Sequence, residues 1–268
     1  EMAATCVDPT ACAGSQVAIN NFNTTTNIDT LDNGALLTYD AVGLNFGDAT
    51  VNSAEFVFTY PDAGKVQLHA RYNIPDTNGD PSGNYMLGSS NAFVVRPFGF
   101  YVDVTGNPKA QTAAGDKFIA AGENFSTSLT AVLWQAADDS IDNNGTPDNG
   151  ANLSDNTATL NFGNEISPET ALIEQAFFLP NPSVLGNLAN SNFSGFVDGK
   201  ATVADMTYDE VGIISFSASL PDNSYLGTGD IIGSEPYVGR FIPDHFELVS
   251  SNGDLAAYCD NEAVPEAM

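Results

Sequence analysis

Short runs of alternating apolar and polar residues, each stopped after five to eight positions by a Pro, Gly, Asn and Asp cluster, set the terms for this chain. Ala54 to Tyr60, Val66 to Tyr72 and Ile213 to Leu220 alternate with the two-residue period of a half-buried strand. PDAG, PDTNGDPSGN, NNGTPDNG and PDNS punctuate the runs, and Gly and Asn there supply turn backbone that other residues resist. Strands at this spacing pack as antiparallel β-sandwiches, so the expected fold is all-β, of the tandem Ig-like kind. One stretch is ambiguous. Pro168 to Phe178 (PETALIEQAFF) reads either as a two- to three-turn helix, with Ser167 as N-cap and Glu169 in its first turn, or as a strand-edge loop.

Comparing the chain with itself reveals two copies of one module. Asp62-Ala63-Gly64 and Glu210-Val211-Gly212 each lead into a strand that ends in Ala, 148 positions apart, from 64 to 212. Val95 to Phe100 (VRPFGF) is echoed by Gly239 to Phe246 (GRFIPDHF), 144 positions apart if Arg96 is matched to Arg240. The expected domains are therefore a sandwich over 1–97, a second with loop insertions over 98–242, and the start of a following domain or a tail over 243–268. Proline at each junction favours a stiff row over a flexible string. Phe98, Phe100 and Tyr101 read as inter-domain packing.

Charge narrows the partners. With 34 acidic against 7 basic residues the formal net charge is −27, so the chain lacks the basic stripe that nucleic acid requires, and an anionic membrane surface is disfavoured. At 43% hydrophobic residues it is a folding sequence, not an acidic disordered tail. No stretch has the length of a transmembrane helix, and Glu1 to Ala4 has none of the features of a signal peptide. Cys6 and Cys12 flank a short Pro-containing loop, CVDPTAC, whose ends are placed to close as a disulfide. Cys259 is left as the odd cysteine, either paired with a residue beyond Met268 in a longer chain or a free thiol. Cysteine usage and acidity together point to an extracellular or periplasmic setting.

Several ordered motifs carry a family likeness. YPDAGKVQLHARY, FVVRPFGFYVDVTGNP, AGENFSTSLTAVLWQ, YDEVGIISFSA and YVGRFIPDHFEL, spread over roughly 54–260, resemble the multi-domain region of MshQ-like proteins of the mannose-sensitive haemagglutinin (MSHA) type IV pilus system. VGRFIPDHF at 238–246 is the most specific of them. The resemblance implies Ig-like sandwiches in a pilus-associated protein exported from a Gram-negative bacterium, acting in pilus assembly or adhesion. It brings no catalytic residues, and it implies a further domain that would supply the partner of Cys259. The first 50 residues fall outside the likeness.

Neither His69 nor His245 belongs to a metalloprotease or zinc spacing, and no serine elbow is present. An enzyme is not expected. Trp134, set in apolar alternation, reads as a core residue in preference to a sugar-stacking platform. Calcium is the candidate cofactor. Ser140, Asp142 and Asn144 place oxygens on alternate residues, followed by Gly145 and Asp148, close to part of a calcium loop, although Ser stands first and Ala151 occupies the position of the bidentate Glu. Asp76, Asn78 and Asp80 have similar spacing, but there a plain hairpin turn is favoured.

Three functions follow: a stalk or tip component of a pilus, a carbohydrate-binding module of a secreted protein, and a filament or surface-layer subunit assembling through edge strands. The partners expected are other pilus or cell-surface proteins and surface glycans, with no nucleic acid and no direct membrane insertion.

Overall fold

The computed structural model describes residues 1–12, 14–21, 24–46, 53–181 and 184–245; Cys259, Phe246 and the rest of 246–268 lie outside them. The first unit holds β1 (Met2–Asp8), β2 (Gln16–Asn21), β3 (Thr24–Leu31), β4 (Val57–Thr59), β5 (Gly64–Pro75), β6 (Pro81–Ser89) and β7 (Phe93–Val95). The second holds β8 (Gly99–Val104), β9 (Asn124–Val132), β10 (Ala171–Leu179), β11 (Leu188–Ala189), β12 (Asn192–Phe193), β13 (Lys200–Tyr208), β14 (Gly212–Ser219) and β15 (Gly233–Phe241), with one short 3-10 turn at Leu153–Asp155. No helix among the described residues is long and apolar enough to cross a membrane.

In the first unit one sheet, ordered β4-β2-β3-β1-β5-β6 with β7 also on β5, rolls over its own core. The roll is made by β3, which runs antiparallel along the whole of β2 and then joins β1 in parallel through its last residues, Thr30 and Leu31. A strand that changes partners in this way turns a corner between layers. Met2, Ala4, Val17, Ile19, Ile28, Tyr60, Val66 and Leu68 fill the space it encloses. The second unit is a sandwich of two four-stranded sheets, β12-β10-β14-β15 against β11-β13-β9-β8. Its larger core includes Phe100, Phe125, Leu129, Met206, Tyr208, Phe216 and Phe241.

Four expectations are corrected. Residues 171–179 are neither helix nor edge loop but a strand hydrogen-bonded along its length to β14 and, at Ala171 and Leu172, to β12 as well. Ala171 and Ile173 are buried while Glu174 and Ala176 face solvent, so pairing overrides the helix propensity of Ala, Leu, Glu and Gln. Trp134 is 52% exposed, because the chain leaves β9 at Val132 before reaching it. Phe100 belongs to the core of the second sandwich, which Ala63 and Val94 of the first unit also join, and Phe98 packs with Val132 and Leu153 beside Tyr101, so these aromatics chiefly build the second domain. The strand over 54–60 shortens to Val57–Thr59.

The two units share a corner. Tyr60 and Tyr208 each stand four residues before a glycine, Gly64 and Gly212, with φ of 130° and 129°. A Cβ on Gly64 would lie 2.6 Å from the Asp8 carbonyl oxygen, and one on Gly212 would collide with that of Leu179. Each carbonyl precedes a proline, Pro9 or Pro180, in a cis peptide. Eight residues beyond those prolines come Val17 and Leu188, and Ala18 faces Thr59 as Ala189 faces Thr207. Thus β1, β2, β4 and β5 correspond to β10, β11, β13 and β14. Val95 lies opposite Gly64 and Phe241 opposite Gly212, which aligns Pro97 with Pro243 and corrects the offset read from the arginines by two positions.

Candidate functional site

The loop after β9 folds around its own carboxylates. Asp139, buried, accepts the backbone N–H of Asn144 and of Gly145, each at 3.0 Å, and the indole Nε1–H of Trp134 at 2.9 Å. Asp148 Oδ2 accepts the N–H of Ser140 at 2.8 Å and of Ile141 at 3.0 Å, and the Asp148 N–H closes the loop on the Asp138 carbonyl. Asn143 and Gly145, at φ of 50° and 79°, supply the left-handed backbone for this tight course.

Of the sequence candidates, Asp142 and Asp148 come together, and the third member of the group is Asp139: one carboxylate oxygen from each lies within 4.8 Å of the others. Ser140 instead turns its N–H, and at 3.4 Å its hydroxyl, to Asp148. Asn144 directs its amide nitrogen to Asp142 and its oxygen to the N–H and hydroxyl of Thr146. Asp139 escapes a reading that counts from position 140, although its place directly after Asp138 in the same acidic run was the available signal. An oxygen-only triad of this kind suits a hard cation such as calcium.

The second candidate region is a hairpin turn. Asp76 Oδ1 accepts the N–H of Asn78 at 2.8 Å and of Asp80 at 3.0 Å, joining β5 to β6. The side chains of Asp76 and Asp80 are not joined by a third carboxylate or histidine among the described residues. Cys6 and Cys12 are linked as a disulfide, and Asp32 accepts the Cys12 N–H at 3.0 Å. His69 spans Thr5 and Ser89 through its two ring nitrogens, at 2.9 and 2.8 Å.

The junction between the sandwiches is the other polar centre, and no sequence motif marks it as one. Asp62 is 1% exposed and accepts from the backbone N–H of Ala63 and of Asn161 and from the Ser15 hydroxyl. Its carboxyl is raised above the ordinary range by burial, against the pull of those donors. Asn161 Nδ2 donates to the Tyr60 hydroxyl at 3.0 Å, Ala63 enters the core of the second unit, and Asp8 accepts the Ile166 N–H at 2.7 Å. Arg96, in the linker, donates to the carbonyls of Asp230 and Gly145. Nearby Glu169 is pushed up to about 7 by partial burial and by the negative charges of Glu165, Asp222 and Asp8.

A cleft of about 760 Å³ opens between β8, β15 and the acidic loop, lined among others by Tyr101, Lys109, Asp148, Asn152 and Glu235. Lys109 and Glu235 form an ion pair across it at 2.7 Å.

Comparison with protein families matches three segments in order: a domain of unknown function (DUF6701), first Ig-like domain, over 1–89; the DUF6701 second domain over 96–206; and the DUF6701 third domain over 210–263. The chain belongs to the DUF6701 family. A search of curated proteins returned no match. The family's second segment ends inside the sandwich described above, since β14 and β15, within the third segment, complete the sheet of β10. The border between those segments thus falls on the β13–β14 corner, not between folded cores.

Proposed function

We propose that this DUF6701 chain is a non-enzymatic extracellular structural or adhesion protein, a stalk or tip component of an MSHA-type type IV pilus. The fixed junction is the observation that carries this reading. A spacer that presents a binding surface away from a cell needs successive domains held in one orientation. Here a buried carboxylate, a buried Asn–Tyr pair and a linker arginine fix two repeated sandwiches. The acidic surface suits solubility outside the cell, and the partners are other pilus or cell-surface proteins. Calcium at the Asp139–Asp142–Asp148 triad would stiffen a loop whose neighbour Gly145 already holds Arg96. Immunogold electron microscopy of cells expressing a tagged chain tests the assignment. Label on or at the ends of pili supports it, and label confined to the cytoplasm rejects it.

Trp134 favours a second reading, a carbohydrate-binding module. Its ring edge is tethered to Asp139 while half of its surface is open, and the cleft beside Asp148 offers polar groups on the same loop. An indole face presented this way stacks on sugar rings. A glycan array, with Trp134→Ala as control, separates the two readings.

A further inference from the structure

The correspondence between the two units leaves one position filled in the second and, among the described residues, open in the first. β4 and β13 occupy the same place: each leads into its Tyr–Gly corner, and each lies in the same register against β2 or β11. The far edge of β13 is covered by β9, with Thr207 opposite Asn124 and Met206 opposite Phe125, and β8 lies beyond it. In the first unit β4 ends its sheet, and among the described residues no strand pairs with its far edge.

The side chains register the difference. Met206 is fully buried, its sulfur 3.6 Å from the Thr127 hydroxyl of β9. Phe58, in the same place on β4, touches the Phe93 ring at 5.1 Å across the layers, yet it stays 38% exposed, and Val57 is 67% exposed. A cleft of about 660 Å³ lined by Asn20, Ala54, Glu55, Phe56 and Val57 runs beside the strand. The opposite end of the sheet is different. β6 begins at Pro81, carries glycines at 83 and 88, and has Tyr85 held beneath Arg71, devices that discourage pairing. β4 is only three residues long, but it has no proline, glycine or charged side chain along Val57-Phe58-Thr59.

We infer that the free edge of β4 is a strand-acceptor site, which takes an extended polypeptide segment with apolar residues at alternate positions, the counterpart of β9. Backbone N–H and C=O groups supply the attachment, and the space beside Phe56 and Phe58 receives the inward side chains. The occupant is an uncharged or basic strand and not a second copy of this chain, because two bodies of net charge −27 repel one another. β9 itself, NFSTSLTAV, carries no charge. The inference goes beyond the pilus reading and does not depend on it.

A fluorescent peptide of sequence NFSTSLTAV, added to the full chain, tests it by anisotropy and by amide hydrogen exchange. Saturable binding is expected, with exchange of the Val57–Thr59 amides slowed at least tenfold. Phe58→Asp should weaken binding at least tenfold, whereas Leu87→Asp on β6 should leave it unchanged. If Phe58→Asp fails to fold, Phe58→Ala, which removes the apolar ring without introducing a charge, is expected to weaken binding in the same direction. Equal binding of a scrambled peptide, or unchanged exchange at 57–59 with peptide in excess, would overturn the inference. So would a concentration-dependent dimer that protects those amides without peptide, since a second copy would then be the occupant.

Discussion

The Asp62 carboxylate of the first sandwich accepts the backbone N–H of Asn161 in the second at 2.9 Å, and both residues are 1% exposed. The same oxygen takes the Ala63 N–H, and the other oxygen takes the Ser15 hydroxyl. One side chain thereby joins the loop before β2, the corner before β5 and the neighbouring domain. A buried donor that loses its acceptor bears its full desolvation cost, so the junction resists opening.

Asp62→Ala is expected to cost roughly 2–3 kcal/mol, because it strands donors that water does not reach. Chemical denaturation reads the loss, and small-angle scattering should show a broader range of inter-domain distances. Asp62→Asn, which keeps an acceptor oxygen, should lose less. Equal scattering profiles for wild type and Asp62→Ala would mean that the linker and Arg96 fix the domains without it.

Gly64 and Gly212 should be irreplaceable in the same way. At φ near 130° an L side chain is strained, and the carbonyls of Asp8 and Leu179 occupy the space a Cβ needs. Alanine at either site is expected to cost at least about 1–3 kcal/mol. Gly122, at φ 86° with open space around it, should cost less when made alanine. Thermal melts of the three variants decide the order.

Much of this was legible. Alternation gives the strands, and the Asp-x-Gly and Glu-x-Gly corners give the repeat, because a period of two and a left-handed glycine are local properties of the chain. What was not legible depends on distant pairing. Residues 171–179 combine helix-forming composition with strand alternation, and only β12 and β14 decide between them. Trp134 lies two residues past Val132, where β9 and its burial stop. Asp62 reads as an ordinary turn acid until Asn161, 99 positions away, covers it. In the acidic loop the sequence spacing suggests Asn144 as a ligand, but a hydroxyl two residues on takes its oxygen.

Glu169 makes the junction sensitive to pH. Its carboxyl is raised from the usual value near 4.5 to about 7, by burial first and then by Glu165, Asp222 and Asp8. The folded protein therefore holds this proton over a range in which the unfolded chain has lost it, and stability contributed here falls as pH rises from about 4.5 to 7. Asp62 and Glu165, both raised by burial, act in the same direction. The melting temperature of Glu169→Gln is expected to change less than that of wild type between pH 5 and pH 8. Because the side chain is partly solvated, screening keeps the effect modest. Parallel pH profiles for the two proteins would remove Glu169 from the account.

Calcium should act at the loop that the structure builds and not at the spacing the sequence suggests. Asp139, Asp142 and Asp148 bring three carboxylate oxygens within 4.8 Å of one another on a chain of net charge −27, and a divalent cation relieves that repulsion. Binding to the folded state alone raises its stability. Millimolar calcium is therefore expected to raise the melting temperature, with a dissociation constant on the order of 10⁻⁴ to 10⁻³ M, as in extracellular modules of low ligand count. Asp142→Ala should abolish the increment with little effect on the fold, since Asp142 is exposed and its one hydrogen bond is to Asn144. Asp139→Ala should also abolish it, but at a further cost in stability, because the N–H groups of Asn144 and Gly145 and the Trp134 indole lose their acceptor. Asn144→Ala, which removes a favoured sequence candidate but none of the triad, should keep the response. Identical melts in calcium and in chelator at constant ionic strength would leave Asp139 as a purely structural carboxylate.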